Sequence, residues 1–397
     1  MNSGSGAAHS ATRPDTAGKR PFTAAGYEPV AAALDLIAAD GDRCAVAAYH
    51  RGELVADLWT GPGFTSRTLV GVYSVTKGIA AICVALLVQR GLLDPELPVC
   101  AYWPDFAAAG KKSVTVRMLL SHQAGLAGLT SGYSLEDILS HDKLAARLAA
   151  AAPLWQPGRA LGYHGLTIGV LTEELVRRTA GVQLREFFET QVRDPLQADF
   201  YLGLPAHLEP RVLPVDVLQS LAAPAVSDPE LAPDPARLAE YDLAAVAFNA
   251  CPDFPAVATL PNLRAVRAAG PVAFGGVGNA RGLASIYAAC IGRPDWPALL
   301  TAETISRVTT LQASGHDLVL GRDSRYALMF QKPNRELPFG SWQAFGHDGA
   351  GGSLAFADPG HELSFAYVTA TFRAQPAGIA PAYRLLATVR QCIQAGA

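Results

Sequence analysis

Ser74 and Lys77 stand three residues apart at the start of a segment whose pattern predicts a helix. On a helix this spacing places the serine hydroxyl and the lysine amine on one face, one turn apart. Residues 78–88 carry no charged side chain, so we expect this helix to be buried on every side. A buried lysine loses its proton more readily than an exposed one and can then accept the proton of a serine hydroxyl. The pair therefore predicts a nucleophile for acyl transfer.

The same Ser-x-x-Lys spacing occurs a second time, at Ser140 and Lys143. Polar residues flank this copy, and Ser140 is typical of a helix N-cap with Lys143 in a solvated first turn. The spacing alone is therefore weak evidence for catalysis. Only the Ser74 copy leads into a wholly apolar helix, where an unpaired lysine charge would be costly. We expect chemistry at Ser74 and a structural role at Ser140.

A loop rich in proline and glycine, residues 157–165, delivers Tyr163 and His164 to the start of another predicted helix. A phenol beside a lysine can exchange protons with it, so Tyr163 is a candidate base or a candidate acid for the leaving group. The alternative is an ordinary tyrosine at the edge of the core. A structural role is also the commoner one for His164, and for His122 ahead of Gly125.

The segment 346–353 contains four glycines and includes His347, Asp348, Gly349 and Ala350. Glycine lets a backbone pass close to a ligand and turn its amides towards it. Together with the amide of Ser74, this segment could form an oxyanion hole. A flexible hairpin turn is the alternative, and adjacent residues such as His347 and Asp348 do not by themselves make a catalytic pair.

The composition favours a globular enzyme. Of 397 residues half are hydrophobic and 17% are charged, with a net charge of −3 and no long basic run, so we expect no nucleic-acid or membrane partner. The six cysteines are scattered without metal-ligand spacing, which predicts free thiols and no metal. Residues 1–23 lack the apolar run of a secretory signal and predict a flexible lead-in, and we expect a cytoplasmic protein.

Strand patterns lie at both ends of the chain and helical patterns between them. The N-terminal strands flank Arg51-Gly52, and four more are predicted at 326–330, 343–347, 353–357 and 363–370. The predicted fold class is α/β (α+β): one antiparallel sheet from both chain ends flanked by helices, with a large, mostly helical inserted lobe. We place the α/β lobe at 24–95 and 275–397 and the helical lobe at 96–274, with a pocket between them.

Several other enzyme classes are disfavoured, because their motifs are missing. The sequence contains no Gly-x-Ser-x-Gly elbow, no His-Glu-x-x-His, no phosphate-binding Gly-x-x-x-x-Gly-Lys and no Gly-x-Gly-x-x-Gly after a strand.

Three segments together resemble the three elements of the class C β-lactamase-like serine hydrolases: Ser74-Val75-Thr76-Lys77, Tyr163-His164 and 347–352. The resemblance is closest to their family VIII carboxylesterases. Further matches at 91–94, 102–106, 119–126 and 278–281 extend it over residues 27–370.

The resemblance implies a β-lactamase/transpeptidase-like fold and an acyl-enzyme mechanism without a cofactor. Ser74 would attack an ester carbonyl, Lys77 and Tyr163 would jointly handle the proton, and the amides of Ser74 and Ala350 would hold the oxyanion. Which of Lys77 and Tyr163 is the base stays open, because coupled groups need not have separate titrations. The expected substrate-binding residues are His347, Asp348, Gly349, His164 and His122.

One departure from the family pattern bears on the substrate. His347-Asp348-Gly349 stands where penicillin-recognising relatives carry Lys-Thr-Gly, which removes a cation suited to a β-lactam carboxylate. The added charge of Asp348 would disfavour anionic substrates and favour cationic ones. We expect a carboxylesterase acting on small to medium esters; the alternative is a transacylase of secondary metabolism that passes the acyl group to an amine or alcohol. An amidase, a weak β-lactamase and a non-catalytic binding protein are weaker alternatives.

Overall fold

The computed structural model describes residues 21–218, 242–292, 298–373 and 381–397. The strands are β1 (Phe22–Thr23), β2 (Cys44–His50), β3 (Glu53–Thr60), β4 (Val70–Gly71), β5 (Phe200–Leu202), β6 (Asp216–Val217), β7 (Gly276–Gly278), β8 (Ala313–Asp317), β9 (Arg322–Tyr326), β10 (Phe345–Asp348), β11 (Leu354–Asp358), β12 (Leu363–Thr369) and β13 (Thr371–Phe372). The helices are α1 (Glu28–Ala39), α2 (Val75–Gln89), α3 (Val116–Leu120), α4 (Leu135–Ser140), α5 (Asp142–Ala150), α6 (Thr167–Ala180), α7 (Leu184–Phe188), α8 (Asp194–Leu196), α9 (Leu243–Ala247), α10 (Arg264–Ala269), α11 (Ala280–Ile291), α12 (Ala302–Thr309) and α13 (Pro381–Gln394).

Strands from both ends of the chain form the central six-stranded sheet, in the order β1-β3-β2-β12-β11-β10. The β2–β3 hairpin turns at Arg51 (φ 52°) and Gly52 (φ 75°), and two left-handed residues are what a two-residue turn of type I′ requires. β12 then pairs antiparallel with β2, with Phe365 opposite Ala48. The prediction of one antiparallel sheet built from both chain ends is confirmed.

Helices cover both faces of this sheet. On one face α1 and α13 pack together and contribute Val30, Leu34 and Leu385 to a core with the sheet. On the other face α11 packs against β2, β11 and β12. α2 contacts β10 and β11 on one side and α6 and α7 on the other, and its residues 75–88 are all buried. The expectation of a helix buried on every side is confirmed, and α2 joins the sheet to the helices of the middle of the chain.

Two local predictions are wrong. Ser140 is not a cap: a capping box at Ser134 and Asp137 starts α4, which runs to Ser140, and α5 begins after His141, whose φ of 67° interrupts the helix. The strand predicted at 326–330 lies earlier in the chain: β9 ends at Tyr326 and pairs with β8 in a separate hairpin. Residues 327–330 are apolar because they are buried in a turn, not because they pair in a sheet.

The predicted lobe boundaries stay a prediction, and most of the predicted N-terminal lead-in, residues 1–20, lies outside the described residues. No helix in the described part of the chain has the length and apolar character needed to cross a membrane.

A second small sheet leads to the site. Its order is β4-β7-β5, and β4 leads directly to Ser74.

The packing of α2 generates a stability prediction at Gly78. A Cβ atom at this position would lie 2.1 Å from the Tyr287 hydroxyl, which is buried and has no hydrogen-bond partner within the described residues. Gly78→Ala should therefore lower the free energy of unfolding by about 1–3 kcal/mol through overpacking, although alanine normally stabilises a helix interior. Denaturant unfolding of the single variant measures this loss.

Tyr287→Phe is the matched control for this prediction. It removes only the unpaired hydroxyl, so it should leave stability nearly unchanged on its own and should restore most of the loss in a Gly78→Ala/Tyr287→Phe double variant. Equal losses with and without the Tyr287 hydroxyl would contradict the packing account.

Candidate active site

Ser74 is the N-cap residue of α2, at the end of a tight turn from β4. Tyr73, just before it, has a φ of 50°, which is rare for a bulky side chain and stores local strain. Two bonds hold this turn: the Tyr73 hydroxyl donates to the Ala258 carbonyl at 2.7 Å, and the Gly276 amide donates to Thr76 Oγ1 at 3.0 Å. Ser74 is the one half-buried residue between Val70 and Val88, and it lines a cavity.

Lys77 is fully buried one turn below Ser74. Its Nζ lies 3.1 Å from Ser74 Oγ, 2.7 Å from the Gly165 carbonyl and 2.9 Å from the Ala273 carbonyl. A charged lysine donates to all three oxygens. A neutral one donates its two protons to the carbonyls and turns its lone pair towards the serine. Burial lowers the pKa of Lys77 to about 7, against a smaller opposite effect of Asp348, so both states are populated near neutral pH.

The structure brings Tyr163 to this pair from its distant loop. The Lys77 Nζ lies 4.8 Å from the centroid of the Tyr163 ring, and the Ser74 side chain is near enough to the phenol to affect its pKa. Burial raises the pKa of Tyr163 well above its usual value, and the neighbouring Ser74 side chain lowers it by less. Tyr163 is therefore a protonated phenol at neutral pH, whereas Lys77 is partly neutral.

The glycine-rich segment lies between β10 and β11, directly against the turn that carries Ser74. A Cβ atom on Gly349 would lie 2.5 Å from the Val72 carbonyl, so only glycine allows this close approach. The Gly349 amide donates to the Ser353 carbonyl at 2.7 Å, and the Gly352 amide donates to the Gly349 carbonyl at 3.0 Å. Neither of these hydrogen bonds uses the Ala350 amide. Ala350 and Ser74 line the same cavity.

The cavity in front of Ser74 has a volume of about 850 Å³. Much of its wall is apolar and includes Phe248, Phe254, Val257 and Leu320. Its charged residues are two aspartates and two arginines. Arg373 donates to Asp42 at 3.0 Å, and Arg322 lies near enough to Asp348 for that carboxylate to help raise the pKa of Arg322 against the opposing effect of burial.

Three of the predicted substrate-binding residues, His122, His164 and His347, are fully buried and lie outside the cavity lining, in contrast to the expectation. His164 donates from Nδ1 to the Gly162 carbonyl (2.7 Å) and accepts at Nε2 from the Leu126 amide (3.0 Å). The His164 amide in turn donates to His122 Nδ1 at 3.1 Å. Burial lowers the pKa of His164 and of His347 to about 4, so both are neutral and hold neighbouring loops in place.

Asp348 and Gly349, by contrast, do line the cavity. Gln331 fixes the orientation of Asp348 with two bonds of 2.8 Å: its Nε2 donates to Asp348 Oδ1, and its Oε1 accepts from the Asp348 amide. No group of three His, Cys, Asp or Glu side chains within the described ranges is placed to hold a metal ion.

Sequence reasoning missed six contributors to this site. Gln331 and Arg322 carry no motif, and the acceptors at Gly165 and Ala273 are backbone carbonyls, which no side-chain pattern reveals. The fully buried Asp317, which binds the Tyr163 amide at 2.9 Å, is a further omission. A strained non-glycine residue before the serine, Tyr73, is equally invisible in the sequence.

Comparison with known proteins identifies the family to which the chain belongs. The Beta-lactamase family matches residues 36–389 of the chain. The esterase/beta-lactamase LipL of Mycobacterium tuberculosis is 35% identical over 339 residues, or 82% of this chain and 76% of LipL. The structure of EstA from Arthrobacter nitroguajacolicus Rue61a is 42% identical with a TM-score of 0.87, and the match covers 95% of this chain and 100% of EstA.

A crystal structure of a family VIII carboxylesterase is 33% identical with a TM-score of 0.84, and covers 94% of this chain and 99% of that one. These matches confirm the resemblance to the β-lactamase-like serine hydrolases and their family VIII carboxylesterases, and they confirm the predicted fold class. The chain therefore belongs to the Beta-lactamase family and is a serine hydrolase with the β-lactamase fold.

Proposed function

We propose that the protein is a carboxylesterase that forms an acyl-enzyme at Ser74. The observation that carries this proposal is the buried Lys77 amine, which lies 3.1 Å from the serine hydroxyl while two carbonyls accept its other protons. In its neutral state this amine has one lone pair, directed at Ser74, and can take the hydroxyl proton as the serine attacks an ester carbonyl.

The two proton carriers then have separate tasks. Lys77 is the general base for acylation, because its pKa of about 7 leaves much of it neutral at neutral pH. Tyr163 is a proton donor, because burial keeps its phenol protonated: it passes its proton to the departing alcohol and takes up in its place the serine proton held by Lys77. Water attacks the acyl-enzyme by the reverse proton path. The amides of Ser74 and Ala350 stabilise the oxyanion in both steps.

The proposed substrates are neutral small-molecule esters of small to medium size. LipL and EstB of Burkholderia gladioli bear the name esterase, which supports an ester substrate. Arg373 binds Asp42, and Arg322 lies near enough to Asp348 for their charges to interact, so these four cavity residues together carry no net charge. The cationic preference expected from Asp348 alone is therefore offset by Arg322, and an uncharged ester with an apolar acyl group suits the aromatic and aliphatic wall.

A second candidate function is transfer of the acyl group to an alcohol or amine. The cavity volume of about 850 Å³ favours it, since this space can hold an acceptor beside an acylated serine. Adding a series of alcohols and amines during ester turnover separates the two functions: a transacylase forms the new ester or amide faster than the free acid, and an esterase does not.

Ser74→Ala should reduce hydrolysis of p-nitrophenyl butyrate to background without loss of folding. A fluorophosphonate probe should add one label to the parent protein, detected as intact mass, and none to this variant. The second Ser-x-x-Lys copy supplies the matched control, because Ser140 ends α4 and Lys143 is exposed. Ser140→Ala and Lys143→Ala should keep parental activity and labelling. Retained turnover in Ser74→Ala would refute the proposed nucleophile.

The pH dependence of kcat/KM should follow the protonation state of Lys77. Its neutral form is the active one, so activity should rise through an acid limb near pH 7 and stay high above it. Asp348 raises the pKa of Lys77, so Asp348→Asn should move this limb to lower pH. Lys77→Arg, which stays protonated, should lose about 10²–10⁴-fold in rate at every pH. An unmoved limb in Asp348→Asn would contradict this assignment.

The charge pairing in the cavity predicts the selectivity between choline esters and their uncharged 3,3-dimethylbutyl isosteres. The parent enzyme should prefer the neutral ester. Arg322→Gln leaves Asp348 uncompensated and should shift the kcat/KM ratio towards the choline ester by roughly tenfold, about 1.4 kcal/mol. Asp348→Asn should shift it the other way. Parallel changes for both substrates would show that these residues do not set charge preference.

A further inference from the structure

Asp317, the last residue of β8, is a fully buried carboxylate outside the cavity lining. Its Oδ1 accepts from the amides of Tyr163 (2.9 Å), Val319 (3.0 Å) and Leu320 (3.0 Å). Its Oδ2 accepts from the Tyr326 hydroxyl at 3.1 Å. Four donors satisfy a charge that would otherwise be costly to bury, and no Lys or Arg forms an ion pair with it in the described part of the chain.

Tyr326 connects the same carboxylate to the ring of Tyr163. The two tyrosine rings are stacked, with centroids 6.2 Å apart and an interplanar angle of 16°. The His122 ring packs edge-on against the Tyr326 ring, with centroids 4.5 Å apart, and its centroid lies 5.1 Å from that of the Tyr163 ring. Asp317 thus holds the backbone of Tyr163 directly and one face of its ring through Tyr326.

The β8–β9 hairpin also reaches the substrate cavity. The Leu318 amide donates to the Leu161 carbonyl at 3.0 Å, which ties the hairpin turn to the Tyr163 loop a second time. From the same turn and the start of β9, Leu320 and Arg322 line the cavity. A hairpin held by Asp317 therefore joins the proton-donating tyrosine to the wall that contacts substrate.

We propose that Asp317 is the positioning residue for Tyr163, and that its hydrogen bonds to the Tyr163 amide and to Tyr326 set where the phenol lies relative to Ser74. This inference rests on the proposed function, in which Tyr163 passes the proton. Asp317 touches neither substrate nor the reacting atoms, so it acts only through the tyrosine. Its carboxylate charge also contributes to raising the pKa of Tyr163, after the larger effects of burial and of Asp348.

The test compares Asp317→Ala in the parent enzyme and in a Tyr163→Phe background. Rates are expressed per active site, and the active sites are counted by fluorophosphonate titration, so that unfolded protein does not lower the measured kcat. In the parent background Asp317→Ala should lower kcat at least tenfold with little change in KM. In the Tyr163→Phe background, which lacks the phenol to be positioned, it should change kcat less than twofold. Asp323→Ala is the matched control: it removes an exposed carboxylate from β9 and should change neither.

Equal losses in the two backgrounds would overturn the inference, as would an unchanged kcat per site in Asp317→Ala. Where Asp317→Ala does not fold, Asp317→Asn takes its place, since its amide oxygen can still accept from the three backbone amides. The same two-background comparison of kcat per site then applies: Asp317→Asn weakens the contact with the Tyr326 hydroxyl, so it should lower kcat in the parent enzyme and change it less than twofold in the Tyr163→Phe background. Equal changes in the two backgrounds would overturn the inference. Full activity of Tyr163→Phe itself would instead refute the proposed role of the phenol.

Discussion

The buried amine of Lys77 is the constraint on which the rest of the site depends. An ammonium group removed from water is stable only when oxygen atoms accept its protons, and here two carbonyls from separate segments and one serine hydroxyl do so. Those carbonyls belong to Gly165, two residues after Tyr163, and to Ala273, three residues before β7. The hydrogen bonds of one side chain therefore bring together α2, the tyrosine loop and the small sheet beside Ser74.

Close packing around two glycines is the second constraint. Gly349 lies against the Val72 carbonyl, and Gly78 lies against the Tyr287 hydroxyl, where a single methyl group would overlap with its neighbour. These contacts place the β10–β11 segment against the turn before Ser74 and α11 against α2. In that turn Tyr73 has a strained left-handed conformation, and its hydroxyl donates to the Ala258 carbonyl. Rigid packing of this kind keeps Ser74 half exposed in an otherwise buried stretch.

The charges in the cavity lining bear on substrate preference more than the net charge of the chain does. The net charge of −3 says little about substrate preference, because the charges of the two aspartates and two arginines in the cavity lining sum to zero. Neutral, buried histidines behind the site contribute hydrogen bonds and ring packing instead of charge. A mainly apolar cavity with balanced charges therefore suits the uncharged ester proposed as substrate.

The sequence by itself determined the local features of this protein. Ser74 and Lys77 share a helical face because of their spacing, and α2 is buried because its residues 78–88 carry no charge. The Arg51-Gly52 hairpin and the capped helices follow from turn and cap residues. The tertiary structure alone decided which distant segments meet. Asp317 next to Tyr163, Arg322 near Asp348 and the two carbonyls on Lys77 are contacts between segments far apart in the chain, and burial, not residue type, sets the pKa of the lysine. Burial likewise removed the three histidines from the predicted substrate contacts and placed the apolar residues 327–330 in a turn, because an apolar pattern specifies that a residue is inside but not what it packs against.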